Sequence, residues 1–562
     1  MRSLRKKKNL GYKYVPEITD IRKLVEYGIT NYRERKFVIY LDEDKNEITK
    51  SYADAWYEIV AIGTFLIKHG YKPGTKIAIL SESLHVFKWM MIFYAILSGQ
   101  NVVVPLDPEL AAEDLVHHVT DGDVELVFHS ETYDQHAEFF KKAPGSKVKK
   151  TFSYKNYDAI IAEGRKAYDE GLKDFDNIKL SPSDLATIVF TSGTTGRSKG
   201  VMLSHGNLAS NVVAACASMK GENTVAFLPL NHTFSWISII FAGPVFGQYG
   251  FASHSYSSVV KDFKTYSPQH FTAVPLVLEK IYYTVWRTAR KSGREDLLKK
   301  GIKISRFLMK LGIDVRRKLF KEVHDQLGGR LEVIFCGGAF LDTKLEEGLY
   351  DLGILVLNGY GTTECSPAVT ANRQDNYKFG SVGLPLPCNK IKIVDPDKDG
   401  VGEIYVRGAN VMMGYYKDPE ATKEVFDGDW FMTGDFGRID DEGFLYYVGR
   451  RNSLIVLPNG KNISPEELED KLGTLEYVTE VLVFEKDGHL EAGFLLDFEE
   501  FPDAREKLRT DVRAINAKLP GYKRIIKRHI KKEEFEKTTS LKIKRNCEDN
   551  YPNDSGNFYE EE

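Results

Sequence analysis

Apolar positions from residue 51 onward alternate between two periods. Residues 51–69 repeat apolar side chains at helical spacing and stop at Gly70, and 76–80 is an unbroken apolar run of strand length. Helical spacing returns over 84–97, where 89–97 is the most apolar stretch of the chain. Residues 101–106, closed by Pro105 and Pro108, and 125–128 read as further strands. Strand, helix, strand in this order predicts crossover units and a parallel sheet. Residues 131–179 are more charged and less periodic, so a surface insertion is expected there before the next strand at 185–190. Similar units recur over 225–357 and include a long charged helical region at 278–326.

After Gly380 the pattern changes to short strands rich in glycine, such as 390–394 and 403–406, which predicts a β-rich subdomain. A separate pattern follows Arg450, with strands at 478–484 and 491–496 and a helix at 503–519. The division expected is therefore a large domain over 1–450, a small C-terminal domain over 451–547, and an acidic tail over 548–562, too polar to need a fixed fold. The fold class expected is α/β. Parallel-rich sheets with flanking helices and a β-rich subdomain form the large domain, followed by a small, mobile α+β domain.

Composition narrows the function classes. An apolar fraction of 42% over 562 residues excludes a disordered chain. Lys and Arg total 77 against 80 Asp and Glu, a net charge of −3, so the whole chain supplies no electrostatic footprint for nucleic acid. Five widely spaced cysteines, with no Cys-x-x-Cys pair, fit a reducing compartment, and a cytoplasmic location is expected. The run 89–97 is far shorter than the roughly 20 residues that span a bilayer. Arg2, Arg5, Lys6, Lys7 and Lys8 form a basic start that is a candidate for weak contact with the inner membrane surface, at about 1 kcal/mol per basic residue.

The most informative stretch is 187–200, where an apolar strand runs into Thr191-Ser192-Gly193-Thr194-Thr195-Gly196-Arg197-Ser198-Lys199-Gly200. Glycines let backbone N–H groups converge on anionic oxygens, hydroxyls add donors, and lysine adds positive charge, which together make a polyphosphate cradle. The spacing is not that of a Walker A loop, and Gly359-Tyr360-Gly361-Thr362-Thr363-Glu364 is not a dinucleotide fingerprint, since Glu stands where the last Gly belongs. Read alone, the loop is equally a flexible turn. A third reading takes Gly196-Arg197-Ser198-Lys199-Gly200 as the Gly-x-Ser-x-Gly elbow of a serine hydrolase. That elbow needs a strand-to-helix turn, and Ser198 is followed instead by strand-like residues.

The stretch 191–200 resembles the phosphate-binding loop of the adenylate-forming superfamily, which includes acyl-CoA synthetases, luciferases and peptide-synthetase adenylation domains. The family's other motifs follow in the family's order along nearly the whole chain. The resemblance implies phosphate contacts from Thr191, Ser192, Gly193, Thr194, Thr195, Gly196 and Lys199, although Ser198 stands where the family has Pro. It implies that Gly338, Ala339, Asn358, Gly359 and Tyr360 border the adenine, that Thr363 meets the α-phosphate, and that Glu364 holds Mg²⁺. Asp435 and Arg450 correspond to the ribose-binding pair, and Asn452 to the pivot of the C-terminal lid. Gly460 corresponds to the tunnel for coenzyme A, and Lys542, preceded here by Leu541 in place of Gly, to the catalytic lysine.

By the same resemblance the reaction is ATP-dependent conversion of a carboxylic acid to an acyl adenylate, followed by transfer to coenzyme A. Residues 229–236 contain no acid to pair with an amino group, which disfavours amino-acid substrates. His232, Phe234 and Ser235 would line an acyl pocket like that of medium- and long-chain fatty acyl-CoA synthetases. An acyl carrier protein ligase and a fatty acyl-AMP ligase are the alternatives within the superfamily, and the serine hydrolase is the alternative outside it.

Overall fold

A computed structural model of the chain describes residues 17–562 except 43, 83–84, 192–197, 217–222, 253–258, 452–454, 457–461, 464, 487, 538–542, 546, 554–556 and 560–562. Two large sheets form the main body. One has seven strands in the order Gly414–Tyr415, Lys199–Ser204, Leu185–Thr191, Val102–Pro105, Lys76–Leu80, Leu126–His129, Lys150–Ser153. The last five are parallel neighbours, and the first three are antiparallel. The other has nine strands and is parallel through its middle, from Leu355–Gly361 across Val333–Cys336, His270–Ala273, Asn223–Ala226 and Tyr249–Ala252 to Lys36–Leu41. Antiparallel strands close both of its ends.

Burial accounts for the sequence pattern. Lys76–Leu80 and Val102–Pro105 are covered on both faces, which is why they read as continuous apolar runs. Helix Val86–Ser98 touches strands of both sheets and is buried all round except at Lys88, the expected buried helix. Helix Tyr52–Lys68 starts with a capping box, in which Ser51 Oγ accepts from the Asp54 N–H and the Asp54 carboxylate accepts from the Ser51 N–H.

The expected insertion at 131–179 is instead part of the body. Strand Lys150–Ser153 extends the seven-stranded sheet, and helix Tyr157–Asp169 packs on Tyr52–Lys68. A Cβ at Gly164 would lie 1.9 Å from the Ala61 carbonyl oxygen, so the two backbones touch there. A few large anchors, including Phe140, Tyr154, Tyr157 and Phe175, do this packing. Within helix Tyr157–Asp169 the buried positions Tyr157, Ile160, Gly164 and Ala167 keep helical spacing, but the glycine and alanine on that face weaken the apolar signal.

The β-rich subdomain is a five-stranded sheet in which Trp430–Ile439 pairs with both Gly402–Gly408 and Leu445–Arg450. The smaller C-terminal domain has three strands, Val478–Lys486, His489–Leu496 and Ile525–Lys531, the first pair antiparallel and the second parallel. Helices Pro465–Gly473 and Ala504–Asn516 complete it around its own apolar core. Described residues of the acidic end pack onto it. Asn550 is fully buried and donates to the Glu536 and Lys544 carbonyls, Tyr559 N–H donates to Ile530, and Phe558 packs beside Phe484 and Phe535. These few apolar and amide side chains outweigh the acidic composition of the segment. Arg290 forks onto Glu476, and Arg287 and Lys291 pair with Glu500 at 3.6 and 3.5 Å, joining the large domain to the small one. Among the described residues, no helix is long and apolar enough to cross a membrane.

Candidate active site

Strand Leu185–Thr191 turns back as Lys199–Ser204, with Thr191 paired opposite Lys199. The loop between them carries Ser192, Gly193, Thr194, Thr195 and Gly196, which lie outside the described residues, but the hairpin places both of its ends. The same hairpin removes the hydrolase reading, because Ser198 leads into a strand and not the helix a nucleophile elbow requires. Gly200 is needed here, since a Cβ would come within 2.8 Å of Ile188 Cγ2.

Strand Gly414–Tyr415 pairs with the outer edge of this hairpin, setting Tyr415 opposite Val201. The Lys199 ammonium stands 5.0 Å from the centre of the Tyr415 ring, a cation–π distance. The Tyr415 hydroxyl donates to Glu364 Oε1 at 3.1 Å. Glu364 lies in the single turn Thr363–Cys365, which also contains Thr363. Thr362 fixes that turn, its hydroxyl donating to Glu364 Oε2 at 2.5 Å and accepting from the Glu364 N–H at 3.1 Å. Tyr415 thus joins Lys199, at the end of the glycine loop, to the Glu364 carboxylate of the second motif. Burial and the Glu364 charge raise the pKa of its phenol, so it stays a donor.

A second group forms along strands Leu355–Gly361, Trp430–Ile439 and Leu445–Arg450. Asp435 and Arg450 are directly opposed across two antiparallel strands, which explains how residues far apart in a loop-rich sequence meet. Arg450 Nε donates to Asp435 Oδ1 at 3.1 Å, and the Tyr360 hydroxyl donates to Oδ2 at 2.7 Å. The Tyr360 ring lies 5.8 Å from that of Tyr447 with planes 30° apart. Asp435 is 1% exposed, and burial raises its pKa against the opposing pull of Arg450 and Tyr360. Asp435 in turn raises the pKa of Arg450, and Glu364 acts on both charges, so the two groups belong to one electrostatic site.

Asn358 lies on the same strand as Gly359 and Tyr360, and its buried side-chain oxygen has no hydrogen-bond partner among the described residues. Gly338 has φ +83°, and a Cβ at Gly337 would sit 3.1 Å from the Phe234 ring and 3.4 Å from the Gly359 oxygen. The glycine segment therefore lies between the Phe234 side chain and the strand bearing Tyr360, with Gly338 and Ala339 exposed. His232 precedes the short helix Thr233–Ser235, which runs into a π-helical turn, Trp236–Phe241, a feature frequent at functional sites. Ser235 is buried and its hydroxyl donates toward the Pro229 and His232 carbonyls at 2.8 and 2.7 Å, bracing that turn.

Asn452, Gly460 and Lys542 lie outside the described residues. The sequence reading missed Thr362, Tyr415 and Tyr447, and two braces of the Glu364 turn. Asn410 donates to the Cys365 carbonyl and Asn211 to that of Ala368, each at 2.6 Å. The Gly-Tyr-Tyr run at 414–416 was a signal for Tyr415, since an aromatic pair after glycine stands out in a β-rich stretch.

Comparison with known proteins decides the family. Residues 25–416 match the family described as AMP-binding enzyme, and 452–562 match the AMP-binding enzyme C-terminal domain. The chain belongs to the AMP-binding enzyme family. This agrees with the adenylate-forming resemblance and with the expected enzyme class, an AMP-forming acid–thiol ligase. The chain is 30% identical over 459 residues to long-chain-fatty-acid–CoA ligase FadD15 of Mycobacterium bovis, covering 77% of this chain and 74% of that protein. It is also 30% identical to human long-chain-fatty-acid–CoA ligase 1, covering 75% and 65%. Among solved structures, the anthranilate CoA ligase AuaEII in complex with anthranoyl-AMP shares the fold, with a TM-score of 0.74 at 18% identity over 96% of this chain and 97% of that one.

Proposed function

We propose that this member of the family joins a medium- or long-chain fatty acid to ATP and then passes the acyl group to coenzyme A, releasing AMP and pyrophosphate. The observation that carries the reading is the convergence of Lys199 and Glu364 on Tyr415, within one electrostatic field with the Tyr360–Asp435–Arg450 group. A phosphate-side cation and carboxylate beside a buried carboxylate suited to ribose hydroxyls fit a nucleotide triphosphate. The buried Asn358 oxygen supplies an acceptor for an adenine amino group, and the Tyr360 ring a face for the base.

A carboxylate resists attack because added electrons must enter an already anionic group. Joining its oxygen to the α-phosphorus of ATP, with loss of pyrophosphate, converts it to an acyl adenylate with a good leaving group. The thiol sulfur then attacks the acyl carbon, the bond to AMP breaks, and the thiol proton passes to solvent. The protein's part is positioning and charge neutralisation. Thr363 would meet the α-phosphate, Lys199 the outer phosphates, and Lys542 both carboxylate and phosphate. Glu364, already oriented by Thr362 and Tyr415, fits Mg²⁺, which typically takes one or two protein carboxylates beside phosphates and would neutralise triphosphate charge.

We assign His232 and Phe234 to the wall of the acyl pocket, supported by the contact of Phe234 with the Gly337 segment and by the fatty-acid ligases among the relatives. The division at 450, with Asn452 as pivot, Gly460 lining the coenzyme A path and the small domain as lid, belongs to the same proposal. A panel of aliphatic and aromatic acids tests it through ATP–pyrophosphate exchange and coenzyme A-dependent AMP release. Exchange with long aliphatic acids is expected, and its absence with every acid overturns the reading.

A further inference from the structure

Helix Glu295–Lys310 is anchored to the large domain by one face. Ser305 is buried, Gly301 packs on the Phe320 ring, and Arg306 forks onto Asp351 at 2.9 and 2.5 Å. The opposite face is apolar and uncovered. Leu297, Ile304, Phe307 and Leu311 recur at intervals of seven, three and four residues, which keeps them on one stripe, and Ile313 extends the patch beyond the helix. All five are between 51% and 66% exposed, which makes this the largest group of exposed apolar residues close together in the described chain.

The charge around the stripe identifies what covers it. Residues 294–321 contain ten Lys or Arg against three Asp or Glu, in a protein whose net charge is −3. Several of the ten are used inside the fold, but Lys300, Lys303, Lys310 and Lys318 are exposed and form no ion pair among the described residues. Lys303 and Lys310 flank the stripe along one edge, and Lys300 rises within it. A second copy of the chain would set these lysines against their own equivalents. An anionic lipid surface meets them with opposite charge, and lysine stems reach headgroups while leucine and phenylalanine enter the acyl boundary.

We propose that the outer face of Glu295–Lys310, continued to Ile313, is a docking surface for an anionic membrane. It lies far along the chain from the basic N-terminal residues and works independently of them. The helix lies flat in the interface, held in a fixed orientation by its inner face and the Arg306–Asp351 fork.

Flotation of the full-length protein with vesicles tests this, comparing phosphatidylcholine alone with phosphatidylcholine containing about 30% phosphatidylglycerol. Wild type is expected to float with the anionic vesicles only, less so as salt rises. Phe307→Ser with Leu311→Ser, and separately Lys303→Glu with Lys310→Glu, are expected to lower partitioning about tenfold or more, with far-UV circular dichroism and ATP–pyrophosphate exchange unchanged. Absence of flotation by wild type overturns the proposal. So does undiminished flotation of both variants, including the case in which only replacing Arg2, Arg5, Lys6, Lys7 and Lys8 by Ala abolishes it. A concentration-dependent dimer in sedimentation that Phe307→Ser with Leu311→Ser dissolves would assign the face to a second copy and also overturn it.

Discussion

Tyr360 commits its hydroxyl and its ring to different neighbours. The hydroxyl orients Asp435 and the ring lies over Tyr447, so the two contributions can be separated by one oxygen atom. Tyr360→Phe keeps the stacking and removes the donor, and an increase of about fivefold in KM for ATP with little change in kcat is expected from steady-state kinetics. Glu346 offers a second test at this scale. It is buried, its Oε2 accepts from the Gly380 N–H at 2.9 Å, and burial raises its pKa from 4.5 to about 8. The folded chain holds a proton there that the unfolded chain releases near 4.5, so this stability is fullest below that value and is lost as pH rises toward 8. Glu346→Gln keeps the acceptor and removes the charge. Its melting temperature should exceed that of wild type by a margin that widens from about pH 5 to about pH 9, and a constant margin would refute the assignment. Asp435, Arg450, Glu364 and Lys199 stood out in the sequence as candidates because each sits in a short motif with a chemical reason. Tyr415 and Tyr447 were not, because their importance depends on which strands pair, and pairing between distant segments leaves no local mark.

At the scale of elements, what was legible followed burial. Strands covered on both faces and the helix enclosed between two sheets carry continuous apolar runs, and their positions came close to those observed. Residues 131–179 were misread because the buried face of helix Tyr157–Asp169 carries Gly164 and Ala167 beside Tyr157 and Ile160, a weak apolar signal, and Gly164 lies directly against Ala61. That contact predicts a large cost for one methyl group. Gly164→Ala should lower stability by about 2 kcal/mol in denaturant titration, because the helix must lift from Tyr52–Lys68 to admit it. A change under about 0.5 kcal/mol would mean that the two helices separate freely.

On the scale of the whole molecule, the proposed reaction asks one chain to perform two half-reactions around one nucleotide. Lys542→Ala should abolish acid-dependent ATP–pyrophosphate exchange yet retain much of the thioester formation from supplied acyl-AMP, and equal loss in both assays would contradict the role given to that lysine. The near-zero net charge conceals this arrangement, since Lys199, Arg450 and Lys542 are spread over more than three hundred residues of sequence. The strand Gly414–Tyr415 has a further effect during synthesis. It closes the edge of a hairpin made some two hundred residues earlier. At roughly 5–20 residues per second, that edge emerges from the ribosome roughly 10–40 s before its partner. For that interval the outer strand of the hairpin presents an open row of backbone donors and acceptors, a surface on which another chain can nucleate. The contact that joins Lys199, Tyr415 and Glu364 is thus completed only after segments about two hundred residues apart have both been made.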